Sequence, residues 1–478
     1  MSNKKSKSIK TFIVKSNESS SSELDAILNI STSSNTEFEP SLDPIINNVK
    51  HNSSKSDESS QSQKRRTGDN ISHRMEFIRD LLGNNQLKPL INVDVCDSTD
   101  FIATENFIGH SHQHGPNEEC NDIRCTINKK FLDVTNVFKT LGVKLIYIKS
   151  GSTGHTFKGL SKSDENVVFG VKVVAYPIRD KYGNINNASR PENAELRMIK
   201  LLSYFVVNRH TPHIVLPIAS FNTSIKPFIN IPKEIIDVSN KKNKRYREFI
   251  EKYQNEQLHN YVSILISEWA DYGDLLDYIR NNYEKIDLQT WKVIFFQLLS
   301  VLAVIQKRYP EFRHNDLKAN NVLVQKVKMS APNNKYKYTI NDCDFIVPDV
   351  GIQLKLWDFD FACIPGIIDN SKVSADWTKE INVKPKMNQY YDLHYFFNTL
   401  IKPDFFSQFY IGNHVPNEIK EFVHRIIPEQ YRSGTKYVTE KGRILINKEI
   451  TTPFKIITID PLFSDFRLFR VKPNNRTK

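Results

Sequence analysis

The chain has 478 residues, more than a single compact core accommodates at roughly 100–200 residues per domain. With 39% hydrophobic and 25% charged residues it has the balance of an ordinary soluble protein, and its five scattered cysteines exclude a disulfide framework and suggest a reducing compartment. A net charge of +12 favours acidic partners such as phosphorylated compounds, anionic membrane surfaces or nucleic acid, although a solvated basic surface is the commoner cause of such a balance.

The N-terminus, MSNKKSKSIK, lacks the apolar stretch of a signal peptide. Residues 1–72 are rich in Ser, Asn, Lys and Glu and cannot bury enough apolar surface to offset ordering, so a disordered segment is expected. Apolar residues return from 73 to 140 (MEFIRDLLG, FLDVTNVFKTLGV), which reads as a folded N-terminal extension. Within it GHSHQHGPNEECNDIRC carries His110, His112, His114, Cys120 and Cys125 at spacings that fit no common zinc site, and a solvated loop is expected.

Strand-like runs follow at 143–150 and 166–176, a helix at 193–207, and further strands at 213–221 and 261–270. Between the last two lies a polar insertion, about 222–260, with KKNKRYR; it is too brief and isolated for a specific nucleic-acid site. Beyond 270 the pattern turns helical. Its most apolar run, VIFFQLLSVLAVI, contains Gln297 and Ser300 and falls short of the roughly 20 residues a membrane span needs, so it reads as a buried core helix. A soluble, intracellular α+β protein is expected, with a small strand-rich unit before a larger helical one.

The chemistry concentrates in FRHNDLKANNVLV, 312–324. A carboxylate on a rigid loop (Asp316) can accept a hydroxyl proton, Lys318 can neutralise a transferring phosphoryl group, and Asn321 can ligate a metal. An Asx-rich turn before a strand would give the same local composition. LKLWDFDFA tips the balance, because Asp358 follows a strand at a place where a carboxylate can hold Mg²⁺. Upstream, Lys172 lies in the strand FGVK and needs a partner if buried. Glu195 on the next helix is preferred to Glu192, since Leu196, Ile199 and Leu202 then form the buried stripe. Gly151 and Gly154 in KSGSTGHTFKG allow backbone amides to approach a phosphate.

In this order the set resembles a eukaryotic-type protein kinase from about 141 to 478, and HNDLKANN is similar to the catalytic loop H-R-D-L-K-x-x-N. DFDF and YYDLHYFFNTL narrow the resemblance to the poxvirus late serine/threonine protein kinases that act in virion assembly. The resemblance implies a bilobal fold, with the N-lobe at 141–267 and the hinge and C-lobe at 268–478. It implies Asp316 as catalytic base, Lys318 as a phosphate contact, and Asn321 and Asp358 as metal ligands. Lys172, paired with Glu195, would hold the ATP phosphates. Ser267 would be the gatekeeper, Glu268 to Ala270 the adenine edge, Asp274 a ribose contact and Leu323 the pocket floor, with Lys149, Gly151 and Gly154 in the phosphate loop. Asp392 would brace the catalytic loop. The implied cofactors are ATP and Mg²⁺, with Mn²⁺ as an alternative. The implied partners are protein substrates, viral structural or membrane proteins among them, in the host cytoplasm and the virion.

The chain departs from the pattern at several places. Lys149 stands at the first glycine position of the phosphate loop, Thr156 replaces the usual Val, Asn315 replaces the catalytic-loop Arg, and Asp360 replaces the glycine of D-F-G. No A-P-E occurs before Asp392, and the long interval from Asn321 to Asp358 implies an inserted loop, KVKMSAPNNKYKYTINDCD. None of these removes a group that does chemistry. A choline- or aminoglycoside-type phosphotransferase shares much of the pattern but not the D-x-K pair, and a pseudokinase scaffold would not need all of Lys172, Asp316, Asn321 and Asp358.

Overall fold

The computed structural model describes residues 11–12, 71–83, 87–93, 121–151, 154–162, 164, 166–328, 334–384 and 386–468. His110, His112, His114 and Cys120 therefore lie outside the described residues. Cys125 is disulfide-bonded, whereas Cys343 and Cys363 are free.

The N-terminal half is built on an antiparallel sheet. Strands β1 (Val143–Ser150), β2 (Gly154–Ser161), β3 (Val168–Pro177), β4 (Pro217–Ser224) and β5 (Leu258–Glu268) are ordered β1-β2-β3-β5-β4. A two-residue strand, Thr11–Phe12, adds to the free edge of β1, opposite Ile146 and Leu145. The run TFIV supplies β-branched and aromatic residues inside an otherwise polar segment. Helix α1 (Ile71–Leu82) starts before the expected boundary and buries Met75, Phe77, Ile78 and Leu82. Two short helices, α2 (Ile123–Ile127) and α3 (Val134–Thr140), lead into the sheet, each N-capped by an aspartate, Asp122 and Asp133.

Helix α4 (Pro191–Val207) begins with Pro at its first turn, where the missing N–H is not needed, and lies against the sheet with Leu196, Met198, Ile199 and Leu202 buried. The insertion between β4 and β5 is not simply surface. It forms helix α5 (Lys244–Gln254), whose Tyr246 and Phe249 are buried with their rings 5.5 and 4.4 Å from that of His155. The 3.6-residue spacing of the apolar face hidden in a basic segment explains why composition alone reads as polar loop.

Past the hinge come α6 (Leu275–Asn282) and α7 (Leu288–Arg308), then β6 (Val322–Lys326). Among the described residues α7 is long and apolar enough to cross a membrane, yet 72% of its apolar window is buried inside the protein. Phe295 and Phe296 on it anchor an aromatic core with Phe397, Phe422, Phe463 and Phe466, and Trp291 packs against Phe295 and Phe406. The described part of the long interval after β6 contains a hairpin. Strands β7 (Lys335–Ile340) and β8 (Cys343–Pro348) are joined by Asn341 and Asp342, both at positive φ as a two-residue type I′ turn requires. Strand β9 (Ile352–Leu356) pairs with β6, and helices α8 (Tyr391–Leu400), α9 (Asn417–Ile426) and α10 (Pro453–Ile459) complete the lobe.

The hairpin is tied to the other lobe through His213, which is fully buried between Leu354 O (2.8 Å) and Tyr338 Oη (2.9 Å). Burial drives this imidazole down to about 3; the Leu354 bond opposes the shift and the cations Arg74 and Lys355 add to it. Its folded value lies below its unfolded one, so the contribution is present above about pH 6.5 and is lost as pH falls. We predict a loss of about 1.4 kcal/mol per pH unit from this group between pH 6.5 and 4. Chemical denaturation across that range should show a shallower slope for His213→Gln; parallel curves would contradict the assignment.

Candidate active site

The catalytic-loop run lies between α7 and β6, and its backbone is fixed from α8. Asp392 is fully buried and accepts the His314 N–H at 2.7 Å and the Asn315 N–H at 2.8 Å. Asn315 sits at φ 62°, and Asp358 at φ 63°. Left-handed backbone at a non-glycine residue is strained and persists where the surroundings over-determine it, a condition that clusters at functional sites. Asn accommodates this region better than Arg would, which gives the replacement at 315 a local reason.

Asp316 collects donors on both oxygens. Lys318 Nζ is 3.0 Å and Asn321 Nδ2 2.9 Å from Oδ2, while Asn321 Nδ2 also donates to the Asp316 carbonyl at 2.8 Å. Across the cleft, Lys172 on β3 reaches Glu195 Oε1 at 2.5 Å and Asp358 Oδ1 at 2.7 Å. Burial alone would lower Lys172, but Asp358 and Glu195 outweigh it and hold the ammonium charged. Burial lifts Glu195 above the usual carboxylate range against the pull of Lys172, whereas Lys172 overcomes burial at Asp358 and holds it below that range. Glu192, the other candidate partner, is buried as well but pairs with Arg190 at 3.1 Å.

These groups face a cleft of about 700 Å³, a size that suits a nucleotide. Its lining includes Lys149, Gly151, Gly154, Lys172, Glu268, Ala270, Asp274, Asp316, Lys318, Asn321, Leu323 and Asp358. Glu195 stands behind Lys172 and does not line it. Gly154 is required by the sheet itself: a Cβ there would come within 2.4 Å of Val173 O. Asp274 N-caps α6 by accepting from Asp277 N, and its second oxygen pairs with Lys149 at 2.9 Å across the cleft mouth. A ribose hydroxyl reaching Asp274 would meet Lys149 there.

Asp358 and Asn321 are the side chains that could ligate a divalent cation in the way the sequence suggests. Asp358 is ionised and about a third exposed, and Asn321 has its amide nitrogen committed to Asp316, which leaves the amide oxygen for a cation. No group of three His, Cys, Asp or Glu residues that could hold a metal occurs among the described residues. Two protein oxygens with phosphate oxygens and water completing the shell fit Mg²⁺, which rarely takes an all-protein cage.

Several partners escape sequence reasoning. Arg443, from the turn between α9 and α10, donates to Asp316 Oδ1 at 2.5 Å. The side chain of Glu268 points away from any adenine and is buried with Arg74 of α1 and Lys355 of β9. Asp360 pairs with Lys372, whose ammonium also lies 3.8 Å from the centre of the Phe361 ring. Nothing local in the sequence marks any of these pairings.

A model of the poxvirus serine/threonine protein kinases matches residues 183–464. The chain belongs to this family. The kinase is 52% identical over 397 residues to a protein of Acanthamoeba polyphaga mimivirus that is provisionally named a serine/threonine-protein kinase, covering 83% of this chain and 80% of that one. Serine/threonine-protein kinase 2 of Variola virus is 33% identical over 117 residues, 24% of each chain. Among solved structures the BubR1 kinase domain is 16% identical and covers 60% of each chain, with a TM-score of 0.28.

The segment that follows Asp358 is held by hydrogen bonds to its surroundings. Asn315 Nδ2 donates to Phe361 O at 3.0 Å, Asn370 Nδ2 to Asp360 O and Ala362 O, and Ser371 N to Ser189 O at 2.8 Å. Thr378 is fully buried with its hydroxyl on Val373 O, so it is not an accessible phosphosite. We expect the Ser371→Ala/Ser374→Ala variant and phosphatase-treated protein to keep activity within about threefold of untreated enzyme. A tenfold fall in initial rate for both would show that loop phosphate is needed.

Proposed function

We propose that this kinase transfers the γ-phosphoryl group of ATP to serine and threonine hydroxyls of proteins. The observation that carries the reading is the convergence of Asp316, Lys318 and Asn321 with Lys172 and Asp358 on one cleft. Asp316 accepts the acceptor hydroxyl's proton as the oxygen attacks phosphorus, and Lys318 offsets charge on the transferring group. Lys172, kept charged and fixed by Glu195, orients the phosphates. Glu268 O and Ala270 N–H offer the adenine edge, and Leu323 the floor. Mg²⁺, or Mn²⁺ in its place, would be held by Asn321 and Asp358 and would supply charge neutralisation at the bridging phosphate oxygens.

Helix α1 belongs with the N-lobe in this reading, because its Arg74 holds Glu268 at the start of the hinge. Within this reading the substrates are proteins, viral structural or membrane proteins among them, and the site of action is the host cytoplasm and the virion, at virion assembly. Incubation with labelled ATP, Mg²⁺ and a panel of proteins, peptides, choline-like alcohols and aminoglycosides tests it. Label in protein is expected; label confined to the small alcohols or aminoglycosides would replace the reading with a small-molecule phosphotransferase.

A further inference from the structure

We infer that Arg443 is a positioning residue for phosphoryl transfer, acting through Asp316; this rests on the reading of Asp316 as the base. A carboxylate offers about four lone-pair directions. Lys318 and Asn321 take the two on Oδ2, and Arg443 Nη2 takes one on Oδ1 at 2.5 Å. One direction on Oδ1 is left, and it is the place where an acceptor hydroxyl delivers its proton. Arg443 thereby fixes both the rotation of the carboxylate and which oxygen works.

The guanidinium is a permanent part of the site rather than a removable clamp. Its Nη1 donates to Asn315 O and to Tyr391 Oη (3.1 Å), and the group lies 4.3 Å from the centre of the Tyr395 ring. It thus holds the carbonyl of Asn315, the strained left-handed residue next to the base. The residue is 7% exposed. Burial would lower its proton affinity, but the Tyr391 and Tyr395 hydroxyls and the Asp316 carboxylate overcome this and keep it charged.

The turn that delivers Arg443 is itself anchored. Gly442 adopts φ +92°, open to glycine and strained for other residues, and donates to Thr439 O at 2.8 Å. Asn398 of α8 donates to Gly442 O at 3.2 Å, and Asn382 to Ile444 O at 2.9 Å. The segment after α9 is therefore wired both to the catalytic loop and to the end of the activation segment. In a chain without A-P-E, this turn fixes the two relative to one another.

The test compares Arg443→Ala, Arg443→Lys and Asp316→Asn with wild type in kcat, KM for ATP, melting temperature, and response to millimolar methylguanidinium. Arg443→Ala is expected to lose roughly tenfold to hundredfold in kcat, the scale of a misplaced catalytic group, with KM for ATP unchanged. Methylguanidinium should restore part of the loss, and Arg443→Lys should fall between. Unchanged or raised kcat in Arg443→Ala would overturn the inference. So would a fall in kcat that comes with a matching rise in KM, a lowered melting temperature, and no recovery by lysine or methylguanidinium. Wild-type turnover in Asp316→Asn would instead overturn the assignment of the base.

Discussion

Asp316→Asn is expected to lower phosphoryl transfer by roughly 10²–10⁴-fold, the range for removing a general base, while ATP affinity stays within about twofold because the base acts on the acceptor. The geometry makes the substitution informative. An amide keeps the shape of the carboxylate but turns one acceptor into a donor. That donor must face either Arg443 on one side or Lys318 and Asn321 on the other, each of which is itself a donor. Nucleotide titration and a melting curve separate loss of chemistry from loss of the fold. Turnover near wild type would remove Asp316 from its role.

The second large effect is on stability and lies at the hinge. Arg74, Glu268 and Lys355 form a buried triad with side-chain exposures of 1, 3 and 0%. Arg74 donates to both oxygens of Glu268 and to the carbonyls of Pro212 and Ile214, while Lys355 donates to Oε2 at 2.7 Å. Burial tends to raise Glu268, but the two cations outweigh it and hold it ionised; burial and the nearby Arg74 push Lys355 down to about 7. Removing one partner of a buried ion pair typically costs about 3–5 kcal/mol, because the other charge stays buried. Glu268→Leu should cost the most, since it leaves two cations facing one another. Arg74→Met should cost about 3 kcal/mol, at the lower end of that range, because Lys355 still answers Glu268 while two carbonyls lose a donor. Lys355→Met should cost least. Urea denaturation of the three variants checks the order, and equal midpoints would contradict it. A chain beginning at residue 70 keeps α1 and Arg74 and should fold; one beginning at 94 should not.

What the sequence revealed follows the range of the interactions. The catalytic loop packs its chemistry into thirteen consecutive residues, so Asp316, Lys318 and Asn321 can be read together. Lys172 and Glu195 lie on neighbouring elements, and the stripe of Leu196, Ile199 and Leu202 turns one of two glutamates toward the sheet. The β7–β8 hairpin was carried by alternating Tyr336, Tyr338 and Ile340 before Asn341-Asp342, a signal too short to stand out in a lysine-rich stretch. Arg74 and Arg443 were invisible for a different reason. Their partners lie 194 and 127 residues away, and no periodicity separates an arginine destined for burial from the many exposed ones. Asp360 stands in the sequence only as a replacement for the glycine of D-F-G. Its φ is not positive, and it pairs with Lys372, twelve residues on.

The decisive measurement is the chemical identity of the product. Purified wild-type protein and Asp316→Asn should be incubated with Mg²⁺, mixed protein acceptors and ATP labelled in the γ-phosphoryl group, and the protein then hydrolysed in acid. The account predicts label in phosphoserine and phosphothreonine from wild type and at least a hundredfold less from Asp316→Asn. Label in neither amino acid, or equal label from both proteins, would contradict it.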